Sequence, residues 1–147
     1  MDKMQVIYDI EEIKQLKAKY IRLGDTQQWD EQVNIFTEDF EAVFDVAPRF
    51  SKDQSSRVEI SGRDVFIETW KPALVGVTTI HQVFLPEITI ISPTAATGIW
   101  AFSDDVRLPN CHFKGWGHYH DSYVKEDGAW KIKSSRVTRI HTEEIWH

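Results

Sequence analysis

The sequence predicts an α+β fold: N-terminal helices packed on a strongly curved antiparallel sheet that encloses a cone-shaped cavity. Three observations carry this. Helical periodicity dominates the first third of the chain, whereas β-branched, strand-like stretches dominate from residue 78 onward. Helices followed by a meander are the order expected of an α+β domain. The late strands are long, and long strands twist and coil, so helices laid on the concave side leave a cavity. The 147 residues, 41% hydrophobic and 27% charged, suit one globular domain over 1–147.

Val6, Ile10, Ile13, Leu16, Tyr20 and Leu23 recur every three or four residues, the period of an amphipathic helix, and Gly24 is placed to stop it. A second helix is expected from Trp29 to about Phe36, with Asp25 or Thr26 capping its start. Phe40 to Val46 alternates as a strand. Ala47 to Ser56 is polar and reads as an exposed loop. Val58 and Ile60 suggest a short edge strand ending at Gly62. Arg63 to Trp70 reads as a third helix that Pro72 limits. Four long strands follow: Thr78–Ile91, Ala95–Leu108, Phe113–Glu126 and Ala129–His141. Ser92-Pro93-Thr94, Pro109-Asn110 and Asp127-Gly128 are the turns between them, the last a strong hairpin signal. Pro86 marks a bulge or an edge in the first of these strands.

Composition excludes several functions. With a formal charge of −6, the chain lacks the basic excess that gripping nucleic acid or anionic lipid requires. Cys111 is the only cysteine, so no internal disulfide can form, which fits a reducing, cytoplasmic setting. No apolar run approaches the ~20 residues of a membrane span, and Met1 to Gln5 does not open a secretory leader. Glycine-rich phosphate loops, nucleophile elbows, His-Glu-x-x-His and cysteine pairs are missing. The partner expected is a small-molecule substrate.

Proton chemistry remains. His81 lies mid-strand among apolar residues, where a histidine is either structural or functional. Asp25 follows the first helix and serves either as a cap or as a site carboxylate. Tyr20 continues the apolar stripe, in the core or at a cavity rim. Alternation puts Trp100, Phe102, Asp104 and Val106 on one strand face, and a carboxylate beside Trp and Phe must be paired, hydrogen-bonded or functional. Arg139, near the end of the last strand, is its candidate counterpart. His118 and His120 share a face but have no third ligand at a metal-binding spacing, so no metal is expected. With Trp116 they give the convex sheet face an apolar, aromatic character that fits a homo-dimer or homo-trimer.

The element order, the Tyr20-x4-Asp25 spacing, His81 and the closing Tyr119…Asp127-Gly128-x-Trp130-Lys-Ile pattern together resemble the SnoaL-like branch of the nuclear transport factor 2-like superfamily. That branch includes scytalone dehydratase and bile acid 7-alpha dehydratase. Leu16-Lys17-x-Lys19-Tyr20, Pro86-Glu87-Ile88-Thr89-Ile90 and Ala96-Thr97-Gly98 look most like the latter. The resemblance implies a cofactor-independent lyase in which Asp25 and His81 form the acid/base pair and Tyr20 contacts a substrate carbonyl. It also implies that Asp104 and Arg139 orient the site and that Tyr119 lines the pocket, where Trp100 and Phe102 would contact substrate. An isomerase using the same dyad and a non-catalytic binding module are the alternatives on this scaffold.

Overall fold

The computed structural model describes residues 1–147. Helix α1 spans Lys3–Asp25, with Asp2 accepting the Met4 amide as its N-cap. Ile13, Leu16 and Leu23 bury its inner face against Phe36, Phe40, Trp130 and Ile132. The helix runs one residue beyond Gly24. It ends in a Schellman pair, Gln28 N–H to Leu23 C=O and Gln27 N–H to Gly24 C=O. The left-handed residue is therefore Gln27 (φ 55°), not the expected Gly24. Its side-chain amide donates to the carbonyls of Leu74 (2.8 Å) and Val77 (3.2 Å), which offsets the cost of that conformation.

Helix α2 is one turn, Trp29–Gln32, continued by 3₁₀ geometry over Val33–Ile35. Strand β1, Phe36–Phe44, starts at the residue where the second helix was expected to end. Gln28 occupies the N-cap position without a side-chain capping bond, so neither Asp25 nor Thr26 caps α2. Strand β2 is Val58–Ser61 and helix α3 is Arg63–Ala73, with Pro72 accommodated in its last turn. The meander is β3 (Thr78–Ser92), β4 (Ala95–Arg107), β5 (Cys111–Glu126) and β6 (Ala129–Trp146). The last strand continues five residues past His141. At the β5–β6 turn both Asp127 (φ 52°) and Gly128 (φ 80°) are left-handed, the I′ geometry that Asp-Gly favours.

The sheet order is β2-β1-β6-β5-β4-β3. It is mixed rather than antiparallel, because β1 pairs with β6 in parallel. No local residue pattern announces that pairing, since it joins the first strand to the last. Register shifts at Val83/Pro86, Trp116/Gly117 and Ser122/Tyr123 are the bulges that curl the sheet around the helices. Pro86 is both a bulge and an edge residue. At Gly117 the opposing strand comes so close that a Cβ would collide with the Thr138 carbonyl oxygen. Gly117→Ala should cost at least about 1–3 kcal/mol, read from the urea midpoint.

Asp9, 1% exposed, ties α1 to the β5–β6 hairpin through Lys125 and Trp130 and also accepts from Gln5 within the helix. Burial pushes its carboxyl up, but those hydrogen bonds outweigh burial and hold it below the ordinary value. A carboxyl lowered on folding stabilises above its unfolded value, about 3.9, and loses that contribution as pH falls through the folded value. Asp9→Asn should therefore be less stable than the parent chain at pH 7. The gap should close below about pH 4 in acid unfolding followed by circular dichroism.

Candidate active site

The end of α1 delivers Asp25 to the start of β3. One carboxylate oxygen accepts from His81 Nδ1 (2.6 Å) and from Thr79 Oγ1 (2.9 Å). The other accepts the His81 main-chain N–H at 2.8 Å. A carboxylate at a helix C-terminus meets the negative end of the dipole, and these three donors offset that. Because the carboxylate accepts, Nδ1 carries a proton, and in the neutral ring Nε2 is then the nitrogen with the free lone pair. Both side chains remain partly open, 26% for His81 and 20% for Asp25. Asp25 is thus a partner of His81 and not a helix cap.

His81 stands directly across the β3–β4 pairing from Asp104. Asp104 receives a fork from Arg139: Nη1 to Oδ1 at 2.6 Å and Nη2 to Oδ2 at 3.0 Å. Arg139 Nε donates to the Val46 carbonyl at 3.0 Å, so the guanidinium faces inward and is 7% exposed. It reaches Asp104 across β5 because Gly115 lies between them. A Cβ there would sit 2.6 Å from Asp104 Oδ1 and collide with Arg139 Nη1. The guanidinium also lies over Phe102 (5.1 Å) and Phe113 (5.2 Å).

Tyr20 and Tyr119 meet edge to face, 5.9 Å between centroids, and Phe102 lies tilted against Tyr119 at 4.1 Å. Burial pushes both phenols well above the usual tyrosine value, so they stay protonated and can donate. These side chains border a mostly apolar cavity with about 790 Å³ of empty space, open solvent at its mouth included. Tyr20, His81, Phe102, Asp104, Tyr119 and Arg139 all line it. Asp25 stands behind His81. Trp100 is not in the lining; its indole N–H donates to Tyr123 Oη at 2.9 Å, one layer back.

Several participants escaped the sequence reading. Ala47, Pro48 and Phe50 of the expected exposed loop form part of the wall, whereas Ser51 to Ser55 face solvent. Thr79 was hidden because one hydroxyl in a β-branched strand looks ordinary. Gly115-Trp116-Gly117 did carry a signal, since glycine inside a strand marks close approach of another group. His118 and His120 have rings 6.3 Å apart, and no three His, Cys, Asp or Glu side chains gather anywhere as a metal site. No helix is long and apolar enough to cross a membrane.

Residues 5–136 match the SnoaL-like domain, and the chain belongs to that family within the nuclear transport factor 2-like superfamily. Among curated proteins it is 26% identical over 135 residues to "Probable cyclase FGR4" of Gibberella zeae, covering 88% of this chain and 89% of that protein. A scytalone dehydratase-like protein from Novosphingobium aromaticivorans superposes with a TM-score of 0.82 at 22% identity, over 99% of this chain and 93% of that one. A type 2 hexachlorocyclohexane dehydrochlorinase, LinA, superposes at 0.79 with 16% identity, over 98% and 93%.

Proposed function

We propose that the protein is a cofactor-independent lyase of the dehydratase type, acting on a small, fairly apolar cyclic substrate that bears a carbonyl. The observation that carries this is the 2.6 Å His81–Asp25 contact at the wall of an apolar cavity. His81 Nε2 takes a proton from the carbon next to the carbonyl, and Asp25 supports the imidazolium that results. The electron pair moves onto the carbonyl oxygen, where Tyr20 donates a hydrogen bond to the developing enolate. When the enolate collapses, the β-hydroxyl leaves with the proton returned from His81, as water. The products are a conjugated carbonyl compound and water. Asp104 and Arg139 orient the site, and Phe102 and Tyr119 supply substrate contact. The dehydratase- and dehydrochlorinase-named structural relatives and the cyclase-named sequence relative support a small-molecule-converting enzyme. An isomerase would use the same first step and return the proton to a different carbon.

The test is a panel of 3-oxo steroids, hydroxylated polyketides and β-hydroxy ketones screened for the ultraviolet absorbance of new conjugation. Turnover that depends on His81 supports the proposal. A product of unchanged mass would select isomerisation, and binding with no product would select the binding module. Tyr20→Phe should lower turnover by about 10²–10³-fold, the usual cost of losing one donor to a developing oxyanion.

The outer sheet face bears Trp116 (37% exposed), Ile80, Phe84, Ile99 and the His118–His120 pair. We expect it to be covered in a homo-dimer or homo-trimer. Light scattering at micromolar concentration should return a multiple of 17.2 kDa, and a monomer would refute the expectation.

A further inference from the structure

Behind the two tyrosines lies a buried ion pair that the proposed elimination does not use. Lys17, one turn before Tyr20 on α1, is 1% exposed, and its Nζ donates to Asp121 Oδ2 at 2.8 Å. Asp121, two residues beyond Tyr119 and so on the same face of β5, also accepts from Ser135 Oγ (2.6 Å) and Tyr123 Oη (2.8 Å). The carboxylate thus accepts three hydrogen bonds, two on Oδ2 and one on Oδ1. The ammonium makes one: Asp121 is its single hydrogen-bond partner, and otherwise it lies against aromatic faces. Nζ is 3.5 Å from the Tyr119 ring centroid and 4.6 Å from that of Tyr20.

Stability alone does not account for such a pair. Two charges taken from water are costly to bury, and apolar residues of the same volume are commonly as stable. The position of the cation supplies the missing reason. An ammonium on a ring face is attracted to its quadrupole, which fixes the ring. It also draws electron density from the ring and opposes the Asp121 carboxylate, whose charge pushes both phenols up, and so strengthens each phenol O–H as a donor. The two rings it touches are the two phenols that border the cavity.

We propose that Lys17 is a positioning residue that holds Tyr20 and Tyr119 and sharpens both hydroxyls as donors to a substrate oxygen. The inference rests on the elimination reading above and deepens it. Its substrate must present an oxygen that gains negative charge during reaction, a carbonyl becoming an enolate, to the Tyr20–Tyr119 corner.

The experiment uses Lys17→Met/Asp121→Asn, which removes both charges at nearly constant volume. Lys17→Gln/Asp121→Asn, which can keep a hydrogen bond there, is the second variant. Thermal unfolding and steady-state kinetics are measured on a substrate from the conjugation screen. Both variants should melt within a few degrees of the parent chain, with kcat at least about 10-fold lower and KM changed less than about 3-fold. Adding Tyr20→Phe to either should cost less than it does in the parent chain, because the tyrosine has already lost part of its donor strength. Parental kcat in either folded variant would overturn the proposal. Failure of both to fold would also overturn it, since the pair would then be serving stability. If His81→Ala and Tyr20→Phe are themselves harmless, the elimination reading fails. If they are damaging while the charge-free variants are not, only the role of Lys17 fails.

Discussion

His81→Ala should lose about 10²–10⁴-fold in turnover, the usual worth of positioned acid/base help, while the fold stays intact. The imidazole is a quarter exposed and packs at the cavity wall, so truncation enlarges a space that already exists. Circular dichroism and the melting temperature should therefore barely change. Asp25→Asn should be nearly as damaging, by a different route. An amide can offer its NH₂ to Nδ1, which stabilises the wrong tautomer and places the ring proton on Nε2, where the base is needed. It also removes the negative charge that supports the imidazolium. The His81 main-chain N–H on the remaining carbonyl, and the Thr79 hydroxyl turned to accept from the new NH₂, should keep the amide near the place of the carboxylate, so the loss would be chemical rather than structural. The measurement is kcat/KM on a substrate found in the conjugation screen. Parental rates in His81→Ala would refute the proposed mechanism.

The largest loss of stability should come from Arg139→Met. Arg139 and Asp104 are 7% and 3% exposed, so each is costly without the other. Removing the cation strands a buried carboxylate and leaves the Val46 carbonyl without its donor. Breaking such a pair typically costs about 3–5 kcal/mol. For a chain of this size that corresponds to a melting point lower by roughly 10 °C. Asp104→Asn/Arg139→Met should recover much of the loss, because no unpaired charge remains. Gly115→Ala should resemble the single variant in direction, since its methyl would fall into the gap that the guanidinium crosses. Scanning calorimetry on the three variants is the check. An Arg139→Met protein as stable as its parent would show that water reaches Asp104 and that the pair is weaker than its burial implies.

Local periodicity and strong turn chemistry are written in the chain itself. The stripe from Ile13 to Leu23, the four long strands and the Asp127-Gly128 turn are each encoded within a few residues, so they were legible without a third dimension. Strand alternation was enough to put Phe102, Asp104 and Val106 on one buried face. Residue type and family resemblance singled out Asp25, His81, Asp104 and Arg139. Features that depend on neighbours remote in the chain arise only when the chain is assembled. The parallel β1–β6 pairing joins segments about ninety residues apart, and no local preference selects it. Gln27 takes the left-handed turn in place of Gly24 because carbonyls on the far side of α3 receive its side chain. Trp100 belongs to the layer behind the cavity because a hydroxyl on the neighbouring strand accepts its indole N–H. Lys17 reads in the sequence as one solvated lysine among several. It is buried because Asp121, 104 residues away, waits on the facing strand, itself held by Tyr123 and Ser135. A charge can leave water only where the fold brings it a partner, and that partner is a property of the assembled chain rather than of the residues beside it.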